Sequence, residues 1–172
     1  YGLQKGATAG MLEDLEQNME HYARILHQEF GVAYANLPGA GAAGGLGAGL
    51  MAFCKARMNP GFALIAKLTN LEEHLSEATL ALTGEGKIDS QTAFGKTISG
   101  LTCMAKKFNV PVVALAGMVT GDLDTLYDQG LTSAFAIANG PMDLQDSKKH
   151  AAKLLTDTTE RVVRLFLKAQ KK

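Results

Sequence analysis

The 172-residue chain lacks tryptophan, has only two cysteines and four prolines, and carries no excess charge of either sign, with seventeen acidic and seventeen basic residues. A net charge of zero argues against a molecule drawn as a whole to nucleic acid or to a membrane surface. Apolar runs are short. The stretch 131–138, interrupted by Thr132 and Ser133, is far below the ~20 residues that a spanning helix requires. Cys54 and Cys103 stand alone within apolar-rich segments. That spacing excludes a disulfide framework and predicts two buried, reduced thiols in a soluble cytoplasmic protein. The four histidines are scattered, and His21 and His27, six apart, fall on different faces of a helix, so they are read as surface residues rather than metal ligands. No G-x-x-x-x-G-K-[ST] run is present, which excludes a P-loop nucleotide site.

Glycine is abundant, with 19 in all and six of them at positions 39, 41, 44, 45, 47 and 49. The composition, 47% hydrophobic and 20% charged, is enough for one sizeable core. The chain opens on Tyr1, without an initiator methionine or a signal-peptide pattern, so it is expected to be a piece of something longer. Its closing AQKK is expected to be a solvated end.

Two segments are distinguished. Residues 1–60 read as helical, with a glycine-rich loop at 38–49. Apolar residues at steps of three and four from Met11 to Phe30 predict a helix over 9–30, capped by Thr8 and stopped by Gly31, and a second helix is predicted over 46–58. Residues 61–172 read as α/β. A mostly helical stretch (62–78) precedes three short apolar runs, TLALTG from Thr79, VPVVALAG from Val110 and TSAFAIANG from Thr132, each ending in glycine. Helical segments at 91–108, 122–129 and 147–169 separate or follow them. This alternation predicts a parallel β-sheet flanked by helices on both faces, in Rossmann-like layers.

Ligands of open parallel sheets bind where strands end and helices begin. That rule selects the loops TGEGKIDSQT (83–92), AGMVTGD (116–122) and NGPMD (139–143). The first is the richest. Gly84 and Gly86 allow close backbone approach or a left-handed turn, while Glu85, Lys87, Asp89, Ser90, Gln91 and Thr92 supply charged and polar groups at a helix start. Such a set suits phosphate binding, hydroxyl activation or magnesium coordination; it also suits a plain helix cap with solvated charges. The glycine tract contains G-x-G-x-x-G at Gly39, Gly41 and Gly44, but Asn36, Leu37 and Pro38 precede it and no acidic residue follows at the distance a dinucleotide site needs. An anion-cradling loop and close helix packing are the two readings left open for it. Gly95 and Gly100, inside the predicted helix after Gln91, read as close contacts.

Four motifs in order, QKGAT (4–8), PGAGAAGGLGAGL (38–50), TGEGKIDSQTAFGK (83–96) and VPVVALAG (110–117), resemble the bacterial glycerate kinase family of the glycerate 2-kinase type, over residues 4 to about 166. The resemblance is to the C-terminal half only, since the family's serine-phenylalanine-lysine-glycine and aspartate-glycine-glycine-glutamate-glycine stretches are missing. It implies a two-domain fold with an inter-domain cleft, and phosphorylation of D-glycerate by ATP with Mg²⁺, giving 2-phosphoglycerate. The missing N-terminal half would be the partner, so that the isolated chain is expected to be catalytically incomplete and to dimerise over exposed apolar surface. In this reading Asp89 is the base or Mg²⁺-positioning group and Glu85 its competitor. Lys87 and Lys96 meet anionic groups, as do Gln91, Thr92 and the loop glycines Gly84 and Gly86, and Gly39, Gly41, Gly44 and Gly45 donate backbone N–H groups to an anion. Glycerate 3-kinase activity, a non-catalytic nucleotide- or anion-binding module and a NAD-linked oxidoreductase are the competing functions.

Overall fold

Residues 2–90, 92 and 97–171 are described in the computed structural model, with Gln4 by its backbone alone. The chain forms two compact units, Tyr1–Pro60 and Gly61–Lys172.

In the first unit, helix α1 (Ala9–Phe30) begins where the Thr8 hydroxyl accepts the Met11 N–H at 3.3 Å, which satisfies one of the helix's free donors. It ends at Gly31, whose φ of 68° lets its N–H turn back to the His27 carbonyl. Helix α2 (Ala42–Cys54) starts through three left-handed residues, Ala43, Gly44 and Gly45. It stops at Lys55, itself left-handed with φ 53°, several residues before the predicted end at 58. Leu26, Ala40, Ala48, Met51 and Ala52 form the core, with Tyr22 and Tyr34 packed against them. Gly47 is required by proximity, because a Cβ there would collide with the carbonyl oxygen of Gly39.

In the second unit the predicted helix over 62–78 is two helices, α3 (Gly61–Leu68) and α4 (Leu71–Glu77), separated by Asn70 in the left-handed region. Strands β1 (Ala81–Ile88), β2 (Val112–Val119) and β3 (Leu131–Ala136) form a parallel sheet in the order β1-β2-β3. Helices α5 (Ile98–Lys106), α6 (Asp124–Asp128), α7 (Leu144–Lys149) and α8 (Ala151–Ala169) complete it. Central β2 is buried without interruption from Val112 to Ala116, the signature of a parallel strand covered on both faces. Val112, Ala114 and Ala116 pack with Ile98, Ala105, Leu126 and Leu131; Val113 and Leu115 pack with Ile137, Leu154 and Val162. The expected helix-flanked parallel sheet is therefore what the chain forms.

Three expectations need correction. The first two apolar runs do not end at their glycines: β1 continues from Gly84 through Glu85, Gly86 and Lys87 to Ile88, in register with β2 as far as Val119. Close backbone approach explains this, since a Cβ on Gly117 would lie 2.8 Å from the Gly86 oxygen and one on Gly84 would lie 3.1 Å from the Leu115 oxygen. The helix predicted over 147–169 is two, α7 capped by the Asp143 carboxylate, which accepts the Asp146 N–H at 2.8 Å, and α8 after a break at His150. Both cysteines are exposed. On α5 the buried positions are Ile98, Thr102 and Ala105, which turns Cys103 outward, and Cys54 is the last residue of α2, beyond the buried Met51 and Ala52. Gly100 meets the close-contact expectation, because a Cβ there would strike the Phe62 ring. Gly95, and the predicted helix at 91 and 93–96, lie outside the described residues. Among the described residues no helix is long and apolar enough to cross a membrane.

Candidate active site

Parallel pairing brings the carboxyl ends of the strands, Ile88, Val119 and Ala136, to one edge of the sheet. A cavity of about 480 Å³ opens there. Gly86 and Lys87 of β1, Gly117, Met118 and Val119 of β2, and Ala136 of β3 form one side; Ala138, Gly140, Pro141, Met142 and Asp143, followed by Leu144 and Ser147 of α7, form the rest. This is the crevice in which open α/β sheets hold ligands.

At its edge the Lys87 ammonium lies 2.9 Å from the Asp89 carboxylate, and both groups are partly accessible to solvent. The turn after β1 is fixed by a reciprocal pair: the Asp89 N–H donates to the Thr92 hydroxyl oxygen at 3.0 Å, and the Thr92 N–H donates to the Asp89 carbonyl at 2.9 Å. The Thr92 hydroxyl thus shapes the backbone that presents Asp89. A carboxylate able to take a proton and a cation able to meet an anion are side by side at the strand end, which is the pairing that transfer to a hydroxyl needs.

The remaining candidates are distributed unevenly. Gly86 and Lys87 border the strand-end cavity. Glu85 and Gly84 are strand residues rather than loop residues, and with Gly86 they border a separate hollow of about 390 Å³ lined also by Leu115, Ile137 and Leu155. Neither Gly84 nor Gly86 has the positive φ of a left-handed turn. Gln91 and Lys96 lie outside the described residues. Among the described residues no group of three or more histidines, cysteines or carboxylates is placed to hold a metal ion. A single carboxylate such as Asp89 fits a magnesium ion carried by a polyphosphate, which keeps most of its ligands as water and phosphate oxygen.

In the first unit Gly39, Gly44 and Gly45 have positive φ, as does Ala43. The Gly45 N–H donates to the Gly41 carbonyl at 3.3 Å, and a Cβ on Gly45 would press on Met19 and Tyr22. Packing therefore accounts for Gly45 as it does for Gly47. Gly41 instead borders a small cavity of about 210 Å³, beside Glu16, Met19, Glu20 and Tyr22 of α1.

Sequence reasoning selected the 116–122 and 139–143 loops but did not single out Met118, Met142, Asp143, Leu144 or Ser147, all of which line the strand-end cavity. The signal available was the Asp143 cap. Asp followed three residues later by Asp146, before the apolar pattern of 151–167, marks a helix start at Leu144 rather than at Ser147.

A parallel sheet with packed helices on both faces and a crevice at its strand ends defines a layered α/β protein. The sequence profile of the glycerate kinase family matches residues 1–167, and the chain belongs to that family. It is 40% identical over 162 residues to a glycerate kinase of Halalkalibacterium halodurans, covering 94% of this chain and 43% of the relative. To the glycerate 2-kinase of Escherichia coli K12 it is 42% identical over 137 residues, covering 80% of this chain and 36% of the relative. A crystal structure described as a glycerate kinase 2 from Salmonella typhimurium LT2 superposes with a TM-score of 0.71 at 36% identity, over all of this chain and 44% of that one. The chain thus spans less than half the length of these relatives.

Proposed function

We propose that this chain is the part of an ATP-dependent glycerate kinase that carries the proton-accepting carboxylate, and that the product is 2-phosphoglycerate. The observation that carries the reading is the Lys87–Asp89 pair, 2.9 Å apart at the carboxyl end of β1. In the reaction the 2-hydroxyl oxygen of D-glycerate forms a bond to the γ-phosphorus and the bond from that phosphorus to the β,γ-bridging oxygen breaks. ADP leaves, and Asp89 takes the hydroxyl proton. Lys87 holds Asp89 in place and meets the negative charge of the transferring group. Asp89 is also the group that would orient a nucleotide-borne Mg²⁺, which would supply charge to offset that of the phosphates. The backbone N–H groups of Gly39, Gly41 and Gly44 serve as an anion cradle.

The choice of the 2-hydroxyl rests on likeness to the Escherichia coli glycerate 2-kinase; the setting is cytoplasmic. Because the relatives are more than twice as long as the region they share with this chain, the 172 residues alone are expected to turn over little glycerate, and to self-associate as a homodimer through exposed apolar side chains. Robust phosphorylation by the purified chain, or a monomer in sedimentation, would overturn those two points. The central test is Asp89→Asn in a parent protein of the relatives' full length. Turnover should fall by about a hundredfold or more with an unchanged circular dichroism spectrum and melting temperature; near-normal turnover removes Asp89 from the reaction.

A further inference from the structure

Resting on the kinase reading above, we propose that the strand-end cavity receives the nucleoside of the phosphoryl donor, with the base against its apolar wall, and that glycerate binds elsewhere. Size is the first argument. At about 480 Å³ the cavity falls in the range of roughly 300–1,000 Å³ that suits ligands of nucleoside size. A three-carbon hydroxy acid would leave most of that space to water held against apolar side chains.

Chemistry is the second argument. Met118, Val119, Ala138 and Met142 form the wall. Glycerate presents a carboxylate and hydroxyls on every side, and burying these against thioethers and methyl groups leaves them without hydrogen-bond partners. A purine is flat and polarisable, and methionine sulfur makes favourable contact with such rings. Met118 and Leu144 are 53% and 66% exposed, so a ring laid on them removes apolar surface from water.

Charge is the third. Lys87 is the one cation among the described lining residues, and it is already paired with Asp89. Asp143 adds a carboxylate to the same wall. That arrangement repels a carboxylate substrate but accepts a neutral nucleoside, whose ribose hydroxyls can donate to Asp143 or to Ser147. Lys87 then lies on the phosphate side, next to the proposed base.

The test uses ADP and adenosine as probes in titration calorimetry of the 172-residue chain, with Michaelis constants measured on the full-length parent. Filling the cavity with Ala138→Trp should weaken ADP and adenosine alike by at least tenfold, and raise KM for ATP while leaving KM for glycerate within twofold. Lys87→Met should weaken ADP severalfold without affecting adenosine. Should Ala138→Trp fail to fold, Leu144→Glu serves instead, since that position is at the exposed rim of a surface helix; it should weaken ADP and adenosine alike severalfold, because it removes apolar surface on which the base lies. Unchanged ADP affinity together with a raised KM for glycerate would overturn the proposal and put the acid in the cavity. Unchanged values for both substrates would remove the cavity from the site altogether. A parent that binds ADP in this cavity yet phosphorylates no glycerate would instead sink the kinase reading and leave the nucleoside site standing.

Discussion

The two units solve the problem of holding a shape differently. In the second, a central strand buried from Val112 to Ala116 is sealed on both faces by helices, and large side chains such as Ile88, Ile98 and Leu126 are almost wholly withdrawn from water. In the first, α1 is 22 residues long yet only Leu26 on it is fully buried, and three of the five core residues are alanines. Met11, Leu15, Leu46 and Phe53 all remain exposed. The first unit therefore depends more on backbone devices, the Thr8 cap, the left-handed Gly31 and Lys55, and the close approach at Gly47, than on buried area. Apolar residues recur at steps of three and four along α1, yet only Leu26 on it is fully buried, so periodicity alone does not tell how much of an apolar face is covered.

The largest effect is expected where burial is deepest. Leu126→Ala should cost about 2–5 kcal/mol in urea unfolding, through lost transfer energy and the cavity left behind. Leu15→Ala in the first unit, at a half-exposed position, should cost well under about 1 kcal/mol. Equal costs would show that the first unit has a core as dense as the second, and would break the contrast.

Gly47→Ala comes next. The added Cβ meets the Gly39 carbonyl oxygen, which is backbone and cannot swing aside, so overpacking of about 1–3 kcal/mol is expected. Gly44→Ala meets open space but keeps a φ of 68°, and should cost about 1 kcal/mol through backbone strain alone. Thermal melts of the two variants separate crowding from strain. If Gly44→Ala proves the worse, the loop is held by its left-handed turn and not by close packing.

What the sequence revealed, and what it hid, follows the same physics. The limits of α1 were legible because Thr8 and Gly31 act locally, through a side-chain acceptor and a positive φ. The parallel, helix-covered sheet was legible because short, unbroken apolar runs alternating with helices match strands that are buried on both faces. Strand ends were not, because β1 extends through GEGKI by pairing with β2, a tertiary effect that no local glycine rule anticipates. That extension moved Glu85 out of the loop and left Asp89 and Lys87 as the strand-end pair. Cys54 and Cys103 were misread because apolar neighbours in sequence do not specify which side of a helix faces inward. At the cavity, Met118 and Met142 carry no local signal that singles them out from the rest of their loops. The convergence of three strand ends gives them a cavity-lining position.

Caps give a smaller effect that should be alike in both units. Thr8→Ala and Asp143→Ala each remove an acceptor from a helix start, at 3.3 Å and 2.8 Å respectively, and each should cost about 1 kcal/mol. Thr8→Ser should restore most of the loss. Hydrogen exchange would localise the two responses. The Thr8 variant should open the first turns of α1 with little effect on β2, whereas the Asp143 variant should loosen α7 and, if the nucleoside proposal holds, weaken ADP.

The smallest effect on stability is expected at the pair proposed to carry the chemistry. Lys87 and Asp89 are close enough for a strong contact, yet both are solvent-accessible; such pairs are worth about 0–1 kcal/mol, because water screens the attraction and two side chains lose freedom to make it. Lys87→Met should therefore shift the urea midpoint little. Its aliphatic stem is retained, and β1 still pairs with β2 through backbone groups that the substitution leaves alone. Affinity for ADP, and turnover in the full-length parent, should nevertheless drop. A residue that matters little for folding and much for the ligand separates the role of the site from that of the scaffold. If Lys87→Met instead destabilised the unit by as much as Leu126→Ala while leaving ADP affinity intact, the pair would be a structural clasp on the end of β1.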